Sequence, residues 1–169
     1  NFYQKLEDSI KISARYDRRF ALLYIDLDNF KGINDSLGHD TGDIVLKTIA
    51  QRLETTIRDV DYIARIGGDE FCILVEEVCE DCAAKVAQRC LEATSAPIKI
   101  SARKFTPMCS IGIAHYPEDG KDLSTLMKTA DTSLYAAKEN GKNQYAFYNQ
   151  ELTRKAEYRF QVEHYLREA

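Results

Sequence analysis

Residues 20–28 read Phe-Ala-Leu-Leu-Tyr-Ile-Asp-Leu-Asp, and no other stretch narrows the possible folds as far. A run that is apolar on both alternating faces belongs to a strand covered from both sides, hence to the middle of a sheet. The run ends in Asp26 and Asp28, which share one side because strand side chains alternate with period 2. Burying an ionised carboxylate costs on the order of several kcal/mol unless a partner or a metal compensates. Two readings stay open at this point. Either both aspartates sit at the exposed end of the strand, or they are there for chemistry.

The flanking sequence alternates helical and extended patterns, which predicts an α/β fold of the α+β kind: a central sheet flanked by helices. A helix is expected over residues 4–16. A stronger one spans 42–57, where Leu46, Ile49, Ala50, Leu53 and Ile57 keep the 3.6-residue period. Strands are expected near 61–66 and 71–76, joined by Gly67-Gly68-Asp69-Glu70, a plausible hairpin turn. Residues 81–95 form a further helix that ends before Pro97, and 105–116 contain a strand. Asp122 or Ser124 caps a helix whose apolar face includes Leu126, Ala130 and Leu134 and which Gly141 ends. A short strand follows at 145–148. The tail from Gln150 reads as a charged helix that leads onward rather than completing the core.

A length of 169 residues suits one domain with one buried core. The net charge of −4 argues against a nucleic-acid backbone as partner, which needs a basic face, but leaves a nucleotide possible. No apolar run approaches the roughly 20 residues that cross a bilayer, and no signal peptide opens the chain. Cys72, Cys79, Cys82, Cys90 and Cys109 are odd in number and predict no disulfide framework. Cys79 and Cys82 make a C-x-x-C without the second ligand pair that a zinc site needs, so all five are expected to be plain packing or surface residues.

The hairpin tips the balance for the aspartates. Asp69 and Glu70 follow two glycines, where no Cβ keeps a ligand from the backbone. Acids from two elements converging on hard oxygen ligands suit Mg²⁺, which keeps waters and binds substrate phosphates. That combination implies phosphoryl or nucleotidyl transfer.

Gly67-Gly68-Asp69-Glu70-Phe71 also matches, letter for letter, the GGDEF signature, and the chain resembles the diguanylate cyclase family. At average composition five specified residues arise by chance in a chain this long with a probability on the order of 10⁻⁴. The flanks extend the likeness over about residues 1–150. They are Ile25-Asp26-Leu27-Asp28-Asn29-Phe30-Lys31, Asn34-Asp35, Gly38-His39-Asp40, Gly42-Asp43, Ser110 to Ala114, Pro117 to Gly120, and Ala130-Asp131 through Lys138 to Asn143.

The resemblance implies a mostly antiparallel five-stranded sheet like the palm of nucleotide cyclases, with a linker helix over residues 151–169. It implies that two GTP molecules are condensed into cyclic di-GMP across a homodimer with Mg²⁺ or Mn²⁺. Asp26, Asp69 and the Leu27 carbonyl would hold the metal, supported by Glu70; Asp69 would also accept the proton of the attacking hydroxyl. Gly67 and Gly68 would admit the triphosphate, and Lys31 would stabilise charge in the transition state. Asn34 and Asp43 would read the guanine edge with His39 in the same pocket, and the chemistry agrees, since an amide and a carboxylate complement guanine's acceptors and donors. Lys138 and Lys142 would hold the β- and γ-phosphates. The family usually has arginine at the position of Lys142 and another basic residue where Gln144 stands; lysine keeps the charge and loses the fork. Arg58 and Asp61, an R-x-x-D, with Arg89 would bind cyclic di-GMP as an inhibitory product.

The tail resembles the linker to a following EAL phosphodiesterase domain, so the rival expectation is a GTP-binding regulatory module of weak activity. Two further rivals, a cyclase making a monomeric cyclic nucleotide and a structural dimerisation domain, predict a different product and no GTP binding. The domain is expected to be cytoplasmic, with any membrane anchor of the full-length protein outside this chain.

Overall fold

The computed structural model describes residues 1–76, 82–148 and 165–167. Helix α1 (Phe2–Tyr16) opens where the Asn1 side chain accepts from the Tyr3 N–H at 2.8 Å, satisfying a donor that a helix start leaves open. Strand β1 (Phe20–Leu27) leads into α2 (Phe30–Leu37) and α3 (His39–Thr56). The hairpin β2 (Tyr62–Gly67) and β3 (Glu70–Glu76) follows, then α4 (Cys82–Thr94). A small hairpin, β4 (Ile98–Ile100) and β5 (Arg103–Phe105), precedes β6 (Cys109–Tyr116), α5 (Leu123–Glu139) and β7 (Tyr145–Phe147).

The main sheet has five strands in the order β2-β3-β1-β6-β7, with β1 in the centre as its two apolar faces require. β1 runs antiparallel to β3 and β6, and only β6 and β7 pair in parallel. Leu23 and Ile25 face α3 and α4, where Val45, Ile49, Leu53, Val86 and Ala87 meet them. Phe20 and Leu22 face the other way, onto Leu6 of α1 and Leu126 and Ala130 of α5. Each fully buried aliphatic side chain contributes about 1.5–3 kcal/mol. One close approach matters for the site. A Cβ at Gly112 would come 2.1 Å from the Ala130 carbonyl, so the glycine lets α5 lie directly on β6.

The expected fold class, the central strand and the hairpin are all present. The region after β1 differs. Residues 30–37 form a helix of their own, and α3 starts at His39 rather than at 42, because Gly38 (φ 92°) breaks the helical path and lets it restart. The β4–β5 hairpin occupies a stretch where the sequence suggested no element before residue 105; Ile98, Ile100 and Phe105 pack on the core and hold it there. Cys72, Cys90 and Cys109 are buried free thiols, and burial pushes those of Cys90 and Cys109 up to about 12, which keeps them unreactive. Cys82 corrects the cysteine reading: it is disulfide-bonded. An odd count argues against a chain-wide framework but does not address a single bridge. Cys79 and the expected linker helix from 151 onward lie outside the described residues, apart from a helical turn at 165–167.

Candidate active site

The C-terminal end of β1 brings the acids together. Asp26 lies between Glu70 on β3 and Ser110 on β6, and its carboxylate is largely buried, with 16 % of the side chain exposed. The Lys138 ammonium, from the last turn of α5, donates to Asp26 Oδ2. Asp26 Oδ1 is buried and has no hydrogen-bond partner among the described residues. The Asp69 carboxyl lies close enough for its charge to act on Asp26. Burial first, then Asp69, raises the Asp26 pKa above the ordinary carboxylate value, and Lys138 opposes the shift. A buried acid with one vacant oxygen beside a second acid is costly to fold and suited to a cation.

The hairpin turn is fastened to this corner. Leu27 N–H donates to the Asp69 carbonyl at 3.2 Å, and Arg65 Nε donates to the Gly68 carbonyl at 2.8 Å. A Cβ at Gly67 or Gly68 would meet no atom of the described residues within 4 Å, so packing accounts for neither glycine. Glu70 turns towards Tyr24, whose hydroxyl donates to Glu70 Oε2 at 2.8 Å. Burial, then this bond, raises the Tyr24 pKa.

Among the described residues no three His, Cys, Asp or Glu side chains form a metal cage. Two carboxylates and a main-chain carbonyl are nevertheless an adequate share for Mg²⁺, which otherwise keeps waters and phosphate oxygens. The vacant Asp26 Oδ1 fits that role.

The residues expected to read a base sit on the other side of the loop. Asn34 lies on α2 and Gly42 on α3, and a Cβ at Gly42 would come 1.8 Å from Asn34 Oδ1. The glycine is what lets the amide stand there. Asp43 follows, exposed, and lines one end of a cavity of about 440 Å³ between α3 and β2, with Lys47, Ile63, Arg65 and Phe71 among its walls. Lys31 and His39 are exposed at the starts of α2 and α3, and Lys142 is exposed just beyond α5.

Arg58 and Asp61 are tied to each other. Asp61, buried, accepts from Arg58 N, Nε and Nη2 at 3.1, 3.2 and 3.1 Å and from Glu76 N at 3.2 Å. Arg58 Nη2 also donates to the Glu76 carbonyl at 2.8 Å. Arg89 is exposed on α4. Sequence reasoning passed over Tyr24, Arg65 and Gly42 as site residues. Only Arg65, two residues before the paired glycines, offered a signal.

The family description "Diguanylate cyclase, GGDEF domain" matches residues 1–144. This chain belongs to the GGDEF family. The GGDEF domain is 42% identical over 165 residues to the bifunctional diguanylate cyclase/cyclic di-GMP phosphodiesterase MucR of Pseudomonas aeruginosa, covering 98% of this chain and 24% of MucR. It is 38% identical over 149 residues to the cyclic di-GMP phosphodiesterase NbdA of the same organism, covering 88% of this chain and 19% of NbdA. The chain therefore spans only about a fifth to a quarter of the length of these relatives. The structure of an N-terminally truncated TpbB from P. aeruginosa, comprising only the GGDEF domain, matches with a TM-score of 0.86 at 33% identity over 92% of both chains. No helix among the described residues is long and apolar enough to cross a membrane.

Proposed function

We propose that this GGDEF domain is an active diguanylate cyclase that joins two GTP molecules into cyclic di-GMP when two copies meet face to face. The observation that carries the reading is the buried, partnerless Oδ1 of Asp26 beside the Asp69 carboxyl. A fold that needed these acids only for stability would have filled that oxygen.

Asp26, Asp69 and the Leu27 carbonyl would hold Mg²⁺ or Mn²⁺, with Glu70, steadied by Tyr24, supporting its waters. The ion, when bound, supplies charge neutralisation at the phosphate oxygens. Asn34 and Asp43 bind the guanine edge, with His39 at the rim. Gly67 and Gly68 let the backbone approach the triphosphate. Lys138 and Lys142 hold the β- and γ-phosphates, and Lys138 also donates to Asp26 Oδ2, which sets it beside the acids. Each ribose 3′-oxygen attacks the α-phosphorus held by the other copy and gives its proton to Asp69. A new P–O bond forms, the α–β P–O bond breaks, and pyrophosphate leaves; Lys31 stabilises the charge that builds up. Two such steps close the ring. Arg58, Asp61 and Arg89 would bind the product and restrain the enzyme.

NbdA supplies the second reading, because it carries a similar domain and its name records only a phosphodiesterase. There the GTP-binding half would regulate a following EAL domain with little turnover of its own. Chromatography of the products after incubation with GTP and Mg²⁺ at high protein concentration separates the two, with Asp69→Ala as control. Cyclic di-GMP and pyrophosphate from the unaltered domain alone support the cyclase; GTP bound but unconsumed supports the regulator; a monomeric cyclic nucleotide overturns both.

A further inference from the structure

Asp28 stands two residues beyond Asp26, in the turn just past the end of β1, and the proposed reaction leaves it without a task. Unlike Asp26, both of its oxygens are taken by protein. Oδ1 accepts from Ser110 Oγ at 2.7 Å, and Oδ2 accepts from the main-chain N–H of Asn143 at 3.0 Å. The first bond ties it to the neighbouring strand β6. The second reaches across 115 positions of sequence to the turn between α5 and β7.

That turn is backbone that needs holding. Gly141, Lys142 and Asn143 follow one another with φ of 119°, 64° and 50°. Glycine adopts such angles easily, whereas Lys142 and Asn143 carry side chains that disfavour them. The Gly141 and Lys142 N–H groups fold back onto α5, to the Lys138 and Ala137 carbonyls at 3.3 and 3.1 Å. The Asn143 N–H goes to Asp28 instead. The residue from which the second phosphate-binding lysine departs is therefore fixed on one side by the helix end and on the other by this carboxylate.

We propose that Asp28 is a positioning residue: it holds the 141–143 turn so that Lys142 meets the outer phosphates of the bound nucleotide, and it is not itself a metal ligand. The inference rests on the reading of Lys142 as a phosphate ligand. Its chemistry sets the test. Both groups facing Asp28 are donors, yet a serine hydroxyl also accepts. An asparagine at this position accepts from Asn143 with its oxygen and donates to Ser110 with its amide, which keeps the turn in place without the negative charge. Alanine strands both partners.

The experiment measures GTP and GMP binding by calorimetry in Mg²⁺ for the unaltered chain, Asp28→Asn and Asp28→Ala, with thermal melts of each. GTP and GMP share the base and the α-phosphate and differ in the two outer phosphates. The unaltered chain binds GTP more tightly than GMP. Asp28→Ala loses at least tenfold in GTP affinity and stays within about twofold for GMP, while Asp28→Asn stays within about threefold for both. Equal losses for GTP and GMP in Asp28→Ala would make Asp28 merely structural and overturn the proposal. Should the alanine variant not fold, Asp28→Asn decides alone: a tenfold loss of GTP affinity there means that the charge itself is needed, as for a metal ligand. An unaltered chain that holds GTP no better than GMP fails earlier, at the phosphate site, and removes the proposal together with the reading it rests on.

Discussion

Asp26, part-buried at the end of β1 beside the hairpin turn, and Asp61, buried just before β2, are carboxylates treated in opposite ways. Asp61 has every oxygen filled, by three donors of Arg58 and one backbone N–H. Asp26 is served by a single lysine on one oxygen and by nothing on the other, next to a second acid. The first arrangement repays desolvation within the chain; the second leaves it unpaid. A filled carboxylate holds a corner together, and an unfilled one is kept for a ligand. The R-x-x-D corner is satisfied by the protein's own donors, whereas the GGDEF corner has a carboxylate oxygen to which no described residue donates.

The sharpest way to break the contrast is Asp26→Asn. Turnover of GTP should fall by about 10²–10³ or more, as for loss of a preorganised charge in an active site. The same variant should melt higher. Because the folded pKa of Asp26 is raised, the folded state holds its proton more firmly than the unfolded chain, and stability falls as pH climbs from the ordinary value of 3.8 through the raised one. At neutral pH the ionised group is a net cost, which asparagine removes. A gain on the order of 1 kcal/mol, about 2–4 °C in Tm, is expected at pH 7 and should shrink below pH 4. A lower Tm at pH 7 would make Asp26 an ordinary structural acid.

Asp61→Ala should do the reverse. Denaturant unfolding is expected to show a loss of about 2–4 kcal/mol, because the Arg58 and Glu76 N–H groups lose their acceptor. GTP binding by the folded fraction should persist. If stability is unchanged, those bonds do not hold the corner.

Gly42→Ala extends the comparison to the α2–α3 segment proposed to read the base. The new methyl takes the place of the Asn34 amide oxygen, so preference for GTP over ATP should drop about tenfold in competition binding. Stability should move by less than about 1 kcal/mol, since alanine's helix propensity offsets the crowding. Unaltered selectivity would remove Asn34 from base reading. The smallest effect belongs to Tyr24→Phe, which frees Glu70 and should cost about 0.5–1.5 kcal/mol in unfolding experiments, with a modest fall in turnover.

Much of this was legible in the sequence, for identifiable reasons. The central place of β1 follows from its two apolar faces, and the hairpin from paired glycines between two apolar runs. α5 was marked by its period and by two candidate caps, Asp122 and Ser124, of which Asp122 serves, its side chain accepting from Thr125 N at 2.8 Å. The meeting of Asp26 and Asp69 was legible because alternation along one strand and a tight turn on the next leave little freedom. What stayed hidden depends on contacts far apart in the chain. Nothing near residue 42 announces that Asn34 needs its space. Nothing near Asp28 announces Asn143, and period 2 alone groups Asp28 with Asp26 although the two do different things. The helix over 30–37 was not expected because Gly32, Asn34, Asp35 and Ser36 have low helix propensity and read as a loop.

The most direct test of the central claim is manganese electron paramagnetic resonance on the domain with GTP. The account predicts that Mn²⁺ is bound tightly only when GTP is present, that its signal changes on binding, and that both Asp26→Asn and Asp69→Ala abolish the change while the fold melts as before or higher. A manganese signal identical in the unaltered domain and both variants, with GTP still bound, would contradict it.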